Sequence, residues 1–314
     1  MKVKMNRIVS KHFVFLTTIL LFGNFTDTVP KISLDFYEPE IQKVIEKNLS
    51  LIQKNLIAKS LNEILQLNIF NAQGKEKIID LLNKNNIEFI ENQEPLEIIE
   101  EKNGFQVRDI AITKTSKCSN MAQRQFLIFN FDRKGIITDV RYSINNQYEF
   151  INFPVVLSPK DRENILAFLE RYKTAYINGN ISTIKTMFDT CAEIFVGKVE
   201  DIDFDYNNQS INNNVSVQLR DLDEYTTRLK SVFNNDIQLE FEDYDIHFDE
   251  YEEELYGIFF HQKWRSLNYN GKNCYNDKGW IYLLVDFKDK DKPLICRRRW
   301  SIKKPEPETY VKSD

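Results

Sequence analysis

Residues 158–188 read SPKDRENILAFLERYKTAYINGNISTIKTMF. Ser158 supplies a side-chain oxygen for a helix start, Pro159 presets the first turn where no donor is needed, and Asp161 follows three residues after the cap. Beyond them Ile165, Leu169, Tyr172 and Tyr176 recur at alternating four- and three-residue spacing, which is one face of a helix running to Ile177. The tetrad Asn178-Gly179-Asn180-Ile181 ends that helix and starts a second one through Phe188. A long opening helix followed at once by a short one is the signature around which the rest of the chain is read.

Toward the C-terminus the pattern predicts a short strand Cys191 to Val196, a polar Asn-rich loop Asp205 to Asn214, and a helix Asp221 to Phe233. Four strands follow, at Ile237 to Phe248, Leu255 to Ser266, Trp280 to Phe287 and Leu294 to Ile302, and then a polar tail from Pro305 to Asp314. The order is helix, helix, strand, helix, then four antiparallel strands. Toward the N-terminus, Asn145 to Leu157 reads as a linker. Before it, apolar residues from Pro39 to Leu67 have helical spacing with a break near Ser60, and a further helix covers Lys75 to Asn83. The period then changes to that of strands at Ile87 to Ile99, Phe105 to Thr113, Gln123 to Phe131 and Ile136 to Ile144, with Asp132-Arg133-Lys134-Gly135 as a hairpin turn. At 314 residues the chain exceeds one ordinary domain, so two α+β units are expected, residues 27–155 and 156–304.

Several runs in the second half carry a resemblance. These are Phe168-Leu169-Glu170-Arg171-Tyr172, Asn178-Gly179-Asn180-Ile181, Met187-Phe188-Asp189, Ala192-Glu193-Ile194-Phe195, Tyr256-Gly257-Ile258, Trp264, Asp277-Lys278-Gly279-Trp280 and Arg299-Trp300. In this order and spacing they resemble the nuclear-transport-factor-like superfamily, which includes ketosteroid isomerase and polyketide cyclases. The resemblance implies a curved antiparallel sheet wrapped around the long first helix, a cystatin-like cone with an apolar pocket. The N-terminal half has a similar helices-then-sheet order. Fold alone licenses no activity.

The isomerase branch of that superfamily uses a first-helix tyrosine and a protonated aspartate on a late strand as an oxyanion hole, with a second aspartate as base. By this resemblance Tyr172 matches the tyrosine and Asp286 the protonated acid, while the base position falls on Val196. A valine accepts no proton, so isomerisation should not transfer. The pocket candidates are Tyr172, Tyr176, Asp189, Val196, His261, Trp264, Asp286 and Trp300. Asp189 and His261 are the remaining acid or base candidates, and a lone His among Phe259, Phe260 and Trp264 is more often structural.

Charge and composition narrow the partners. The net charge of −5 provides no basic footprint for nucleic acid, and the run Arg297-Arg298-Arg299 lies in a strand, where alternate residues face opposite ways. No metal or cofactor is expected: the histidines are His12, His247 and His261, none in a metal-ligand cluster, and no phosphate loop or nucleophile elbow occurs. The acidic stretch Glu240 to Glu254 reads as a solvated hairpin tip. Lys2, Lys4, Arg7 and Lys11 precede the apolar stretch 13–23, a charged region and a hydrophobic region of export-signal length, so residues 1–26 read as a signal peptide or anchor and the only membrane contact. Of the four cysteines, Cys191 and Cys296 read as plain buried residues, and export would permit any of three pairings.

The leading expectation is a noncatalytic exported module binding a small apolar ligand or a protein partner in the envelope. The alternatives are a small-molecule isomerase, lyase or hydrolase, with Tyr172, Asp286 and His261 or Asp189 clustered inward, and a structural protein that forms a homodimer through an open sheet face.

Overall fold

The computed structural model describes residues 32–58, 60–90, 94–117, 121–144, 157–205, 210–248, 254–268 and 273–304. The expected leader, the linker up to residue 156, Cys118 and the C-terminal tail lie outside them. Among the described residues no helix is long and apolar enough to cross a membrane.

The N-terminal unit starts with β1 (Leu34–Asp35), α1 (Pro39–Ile57), α2 (Leu61–Gln66) and α3 (Ala72–Asn83). It continues with β2 (Asn85–Phe89), β3 (Leu96–Glu101), β4 (Gly104–Ser116), β5 (Ala122–Asp132) and β6 (Ile137–Tyr142). The single strand expected from Ile87 to Ile99 is two strands, both pairing antiparallel with β4. The sheet runs β1-β3-β4-β5-β6, with β1 joining parallel at its edge.

The second unit is α4 (Pro159–Asn178), α5 (Ile181–Thr186), β7 (Phe188–Asp205), β8 (Ser210–Arg220), α6 (Leu222–Val232), β9 (Asp236–Phe248), β10 (Leu255–Leu267), β11 (Asn273–Asp286) and β12 (Leu294–Ser301). Ser158 caps α4 by accepting from the Asp161 amide, and Gly179 closes it in the left-handed region at φ 61°, where a side chain would be strained. The sheet order is β8-β7-β12-β11-β10-β9, with β9 to β12 antiparallel and β7 parallel to β12.

One expectation needs correction. The strand predicted to be short, at Cys191 to Val196, is the 18-residue β7, and part of the Asn-rich stretch expected as a loop forms its partner β8. The pairing Asp201↔Asn214, Ile202↔Asn213 and Asp203↔Asn212 shows why polarity misled. An edge hairpin needs backbone bonds on one side only and no apolar alternation.

Register shifts bend the sheet. One lies between Phe259 and His261 where β9 meets β10, beside Asp243 at φ 53°, and others lie along β11–β12 and β7–β8. An extra residue kinks a strand and deepens its twist, and Asp is among the few residues that tolerate this backbone. The acidic residues Asp243 and Asp245 therefore belong to β9 itself, not to a hairpin tip.

The two units meet on α4. Its stripe Ile165, Leu169, Tyr172 and Tyr176 is buried against the second sheet, with Phe168 edge-on to Phe287. Full burial of each large apolar side chain is worth about 1.5–3 kcal/mol. A second stripe, Glu170, Lys173, Thr174 and Ile177, faces the first sheet. Glu170, 0% exposed, accepts from Arg141 Nε at 3.1 Å and from Arg108, while Lys173 donates to the Ser143 carbonyl at 2.8 Å and Thr174 Oγ1 accepts from the Tyr142 amide at 2.9 Å. Lys114, also buried, reaches Asp236 and the Ile237 carbonyl across the same boundary. One apolar core runs through both units.

Removing one member of a buried ion cluster strands the others. Glu170→Ala should therefore cost about 3–5 kcal/mol in urea unfolding, and a loss under about 1 kcal/mol would show that Arg108 and Arg141 find other partners. Lys173 makes the opposite case, because burial pulls its ammonium from the ordinary 10.5 down to about 8. The unfolded chain then holds this proton at pH values where the folded chain has released it, so the penalty on the fold relaxes as pH rises. The stability difference between wild type and Lys173→Met should shift in favour of wild type between about pH 8 and 10, and a pH-independent difference would refute it.

Candidate functional site

The second sheet sorts its side chains by strand alternation into a face toward α4 and a face away from it. Ile258, Phe260 and Trp264 of β10, Ile281, Leu283 and Val285 of β11, and Trp300 of β12 pack in the main core. Leu255, Phe259, Tyr282 and Leu284 form a separate small cluster on the other face, with Trp280 and Cys296 against it. This second cluster is buried, so the outward surface of β10 and β11 is not an open apolar face there.

Five of the eight candidates face the cone interior. Tyr172 and Tyr176 are fully buried with ring centroids 4.5 Å apart, and Trp264 meets Tyr176 edge-on and stacks with Phe233. Val196 is half-buried against the main core. Trp300 lies flat over two strands, because Gly197 and Gly279 leave the room. A Cβ on Gly197 would come 1.8 Å from Trp300 Cε3, and one on Gly279 would come 2.6 Å from the indole nitrogen.

The other three face away. Asp286 sits directly opposite Leu255, on the outward face, and turns its carboxylate onto the Lys288 amide. His261 pairs in register with Trp280 and Glu242 and lies near the Trp280 ring. Asp189 follows inward-facing Phe188 and accepts from the Cys191 amide. Burial, then the Asp286 and Asp189 carboxylates, push the Cys296 thiol up to about 11, which keeps it protonated. Cys191 and Cys296 are both free thiols. Contrary to expectation, Cys191 is exposed and Cys296 is half-buried rather than core. The inward cluster of Tyr172, Asp286, His261 and Asp189 required by the enzyme alternative is therefore absent.

What Tyr172 meets is Arg298. Its Nε donates to the Tyr172 hydroxyl at 3.1 Å, and its guanidinium lies 5.4 Å from the Tyr225 ring centroid. Tyr225, from α6, shares a 2.7 Å hydrogen bond with Tyr176. Burial raises both phenols, Tyr225 to about 12, so neither is an anion that could neutralise the arginine. The neighbours in the arginine run go elsewhere: Arg297 pairs with Glu193, on the other face. A carboxylate that does face inward is Asp277, directly opposite Trp264 on the adjacent strand. Burial pushes its carboxyl up, opposed first by the nearby Arg298 charge and then by the Tyr275 hydroxyl, with the Trp300 indole a weaker influence. The indole N–H of Trp264 is buried with no partner, and that of Trp300, though on the side of Asp277, is buried without completing a hydrogen bond.

Arg298, Tyr225 and Asp277 are the residues that sequence reasoning missed as site members. The signal was present for Arg298: in an arginine triplet on a strand whose ends face out, the middle one must face in. For Tyr225 and Asp277 only the register supplies the placement.

No family model matches the sequence, and no curated protein matches it. The chain is similar to solved nuclear-transport-factor-like structures over about half its length. The β subunit of the benzoate 1,2-dioxygenase from Burkholderia mallei is 12% identical, with 48% of this chain and 93% of that one covered and a TM-score of 0.33. Aln2 from a Streptomyces species is 8% identical, with 46% and 93% covered and a TM-score of 0.35. The helical cell shape determining protein Pgp2 from Campylobacter jejuni is 18% identical, with 44% and 41% covered and a TM-score of 0.30. At these values the likeness transfers no activity, and the functional argument rests on the side chains above.

Two other places hold polar groups. A cleft of about 1060 Å³ between α4, the first sheet and the turn Lys290–Pro293 is lined by cations and anions in alternation, with Arg108 and Arg141 already engaged by Glu170. Glu242, Asp243 and His261 converge on the outward face within 4.8 Å, but Glu242 is held by Lys263, so a cation there would have to displace an ammonium.

The Trp300 seat yields a test. Gly197→Ala should displace the indole, cost about 1–3 kcal/mol by overpacking, and shift tryptophan emission to longer wavelength in a Trp280→Phe background. Unchanged emission and stability would show that Trp300 does not lie where described.

Proposed function

We propose that this chain is an exported, noncatalytic binding protein whose second unit takes a small, largely apolar ligand inside the cone. One observation carries the reading. The interior presents aromatic rings together with unpartnered hydrogen-bond donors, whereas Asp189, His261 and Asp286 face the other way and the base position holds Val196. Apolar walls with a few convergent polar groups are what small-molecule recognition requires. The charged and apolar regions at the start of the chain support export.

The enzyme alternative is favoured by one observation, the inward-facing Asp277 beside Arg298, whose raised carboxyl is suited to proton transfer. The two readings separate cleanly. Nile red, a neutral apolar fluorophore, should bind saturably to wild type and at least tenfold more weakly to Val196→Trp, with His261→Ala unchanged. Equal binding by Val196→Trp would place the ligand elsewhere. Catalysed hydrogen exchange next to the carbonyl of a cyclic enone, lost in Asp277→Asn, would replace the binding reading with the enzyme one.

A further inference from the structure

The buried guanidinium of Arg298 specifies the ligand's head group. It is 5% exposed, yet among the described residues no carboxylate forms an ion pair with it within 4 Å. Its Nε donates to the Tyr172 hydroxyl, and its other close neighbour is the Tyr225 ring face. Asp277 is near enough to be felt but not to pair. Among the described residues the desolvation cost of this cation is met by a hydrogen bond and a ring face but by no paired negative charge, whereas the buried Arg141 is held differently. Arg141 has both Asp139 and Glu170.

A further observation points the same way. The Trp264 and Trp300 indoles are more than nine-tenths buried and face the same interior; the Trp264 N–H has no partner, and the Trp300 N–H has only a weak interaction with the Asp277 carboxyl. Buried donors are normally satisfied, so incompletely satisfied ones on one face ask for an acceptor from outside. On β8, Arg220 pairs in register with Ile194, on the inward face, and burial lowers its guanidinium, first through desolvation. Its hydrogen bond goes to neutral Gln218. Among the described residues the interior therefore presents Arg298, two indole N–H groups and phenols against one carboxyl, Asp277, while the partly buried Arg220 lies nearer Arg228 and Glu224 of α6.

We infer that the cone binds its apolar ligand through a carboxylate, which pairs with Arg298 and accepts from the Trp264 and Trp300 indoles. A planar guanidinium matches a carboxylate in two parallel bonds, and charge-assisted bonds in a desolvated site are the strong ones. Asp277 acts against such a ligand by like-charge repulsion and by competing for the Trp300 N–H. This inference rests on the proposed binding function and adds the chemistry of the head group to it.

The test uses the full chain and calorimetry with matched probes, naphthylacetate against naphthylacetamide and decanoate against decanamide. The acids should bind at least tenfold tighter than the amides. Arg298→Met should remove that preference, and Asp277→Asn should widen it about threefold or more. The acid–amide comparison is made on wild type, so it stands even if the Arg298 variant fails to fold. Amides binding as tightly as acids, or an unchanged preference in a folded Arg298→Met, would overturn the inference while leaving the apolar pocket intact. If no acid, amide or Nile red binds, the binding function falls and this inference with it.

Discussion

The structure depends on a helix that packs two of its faces against two different sheets and leaves Lys160, Glu163 and Arg171 to solvent. Helix α4 presents Ile165, Leu169, Tyr172 and Tyr176 to one sheet and Glu170, Lys173, Thr174 and Ile177 to another, and each stripe finds partners suited to it. The apolar stripe is held by burial. The polar stripe is held by saturation: the Glu170 carboxylate is met by two arginines from the first sheet, and Lys173 and Thr174 meet backbone groups of the same sheet. Such contacts add little net stability over an apolar equivalent, but they penalise any other rotation of the helix, because turning it would leave buried charges without partners. The orientation of Tyr172 toward the cone follows from where Glu170 must go.

That division explains what the sequence reveals and what it conceals. The cap at Ser158, the break at Gly179 and the apolar stripe of α4 are legible because capping chemistry and period-3.6 burial use distinctive residues. The second stripe is not, since Glu, Lys and Thr in a helix read as a wetted face until a partner sheet is known to cover them. The same blindness applies to β7 and β8, where an edge hairpin of Asn, Asp and Ser has strand geometry without strand composition. Strand positions in β9 to β12 were legible to within a few residues at most ends, whereas the start of β11 lies well before the Trp280 that the apolar run suggested.

The candidate site divides along a related line. A resemblance maps residues by their place in a motif, but a strand converts a one-residue slip into a change of face. Asp286 is the case in point: Val285 and Phe287 are in the main core, so the aspartate between them must look outward. Asp277, an even number of strand positions before Ile281, looks inward. Tyr172 and Val196 fall on the inward face because one sits on the apolar stripe of α4 and the other follows Ile194 by two. Alternation, applied strictly from the core residues, would have excluded Asp286 and nominated Arg298.

The molecule thus carries two buried arginine systems that differ in closure. Arg108 and Arg141 at the sheet-to-helix contact share Glu170, and Asp139 completes the set, so charge and hydrogen bonds are accounted for internally. Arg298, on the other side of α4, has a phenol and a ring. The second system does not resemble the first: the inward carboxylate on the neighbouring strand, Asp277, lies six residues from Leu283, the register partner of Arg298. The carboxylate forms no ion pair with Arg298 and is itself pushed toward its neutral form by burial, the Trp300 indole lies on the side of Asp277, and the Trp264 donor stays unmatched. The electrostatic arrangement is thus complete on the face of α4 toward the first sheet and lacks a paired carboxylate, among the described residues, on the face toward the second.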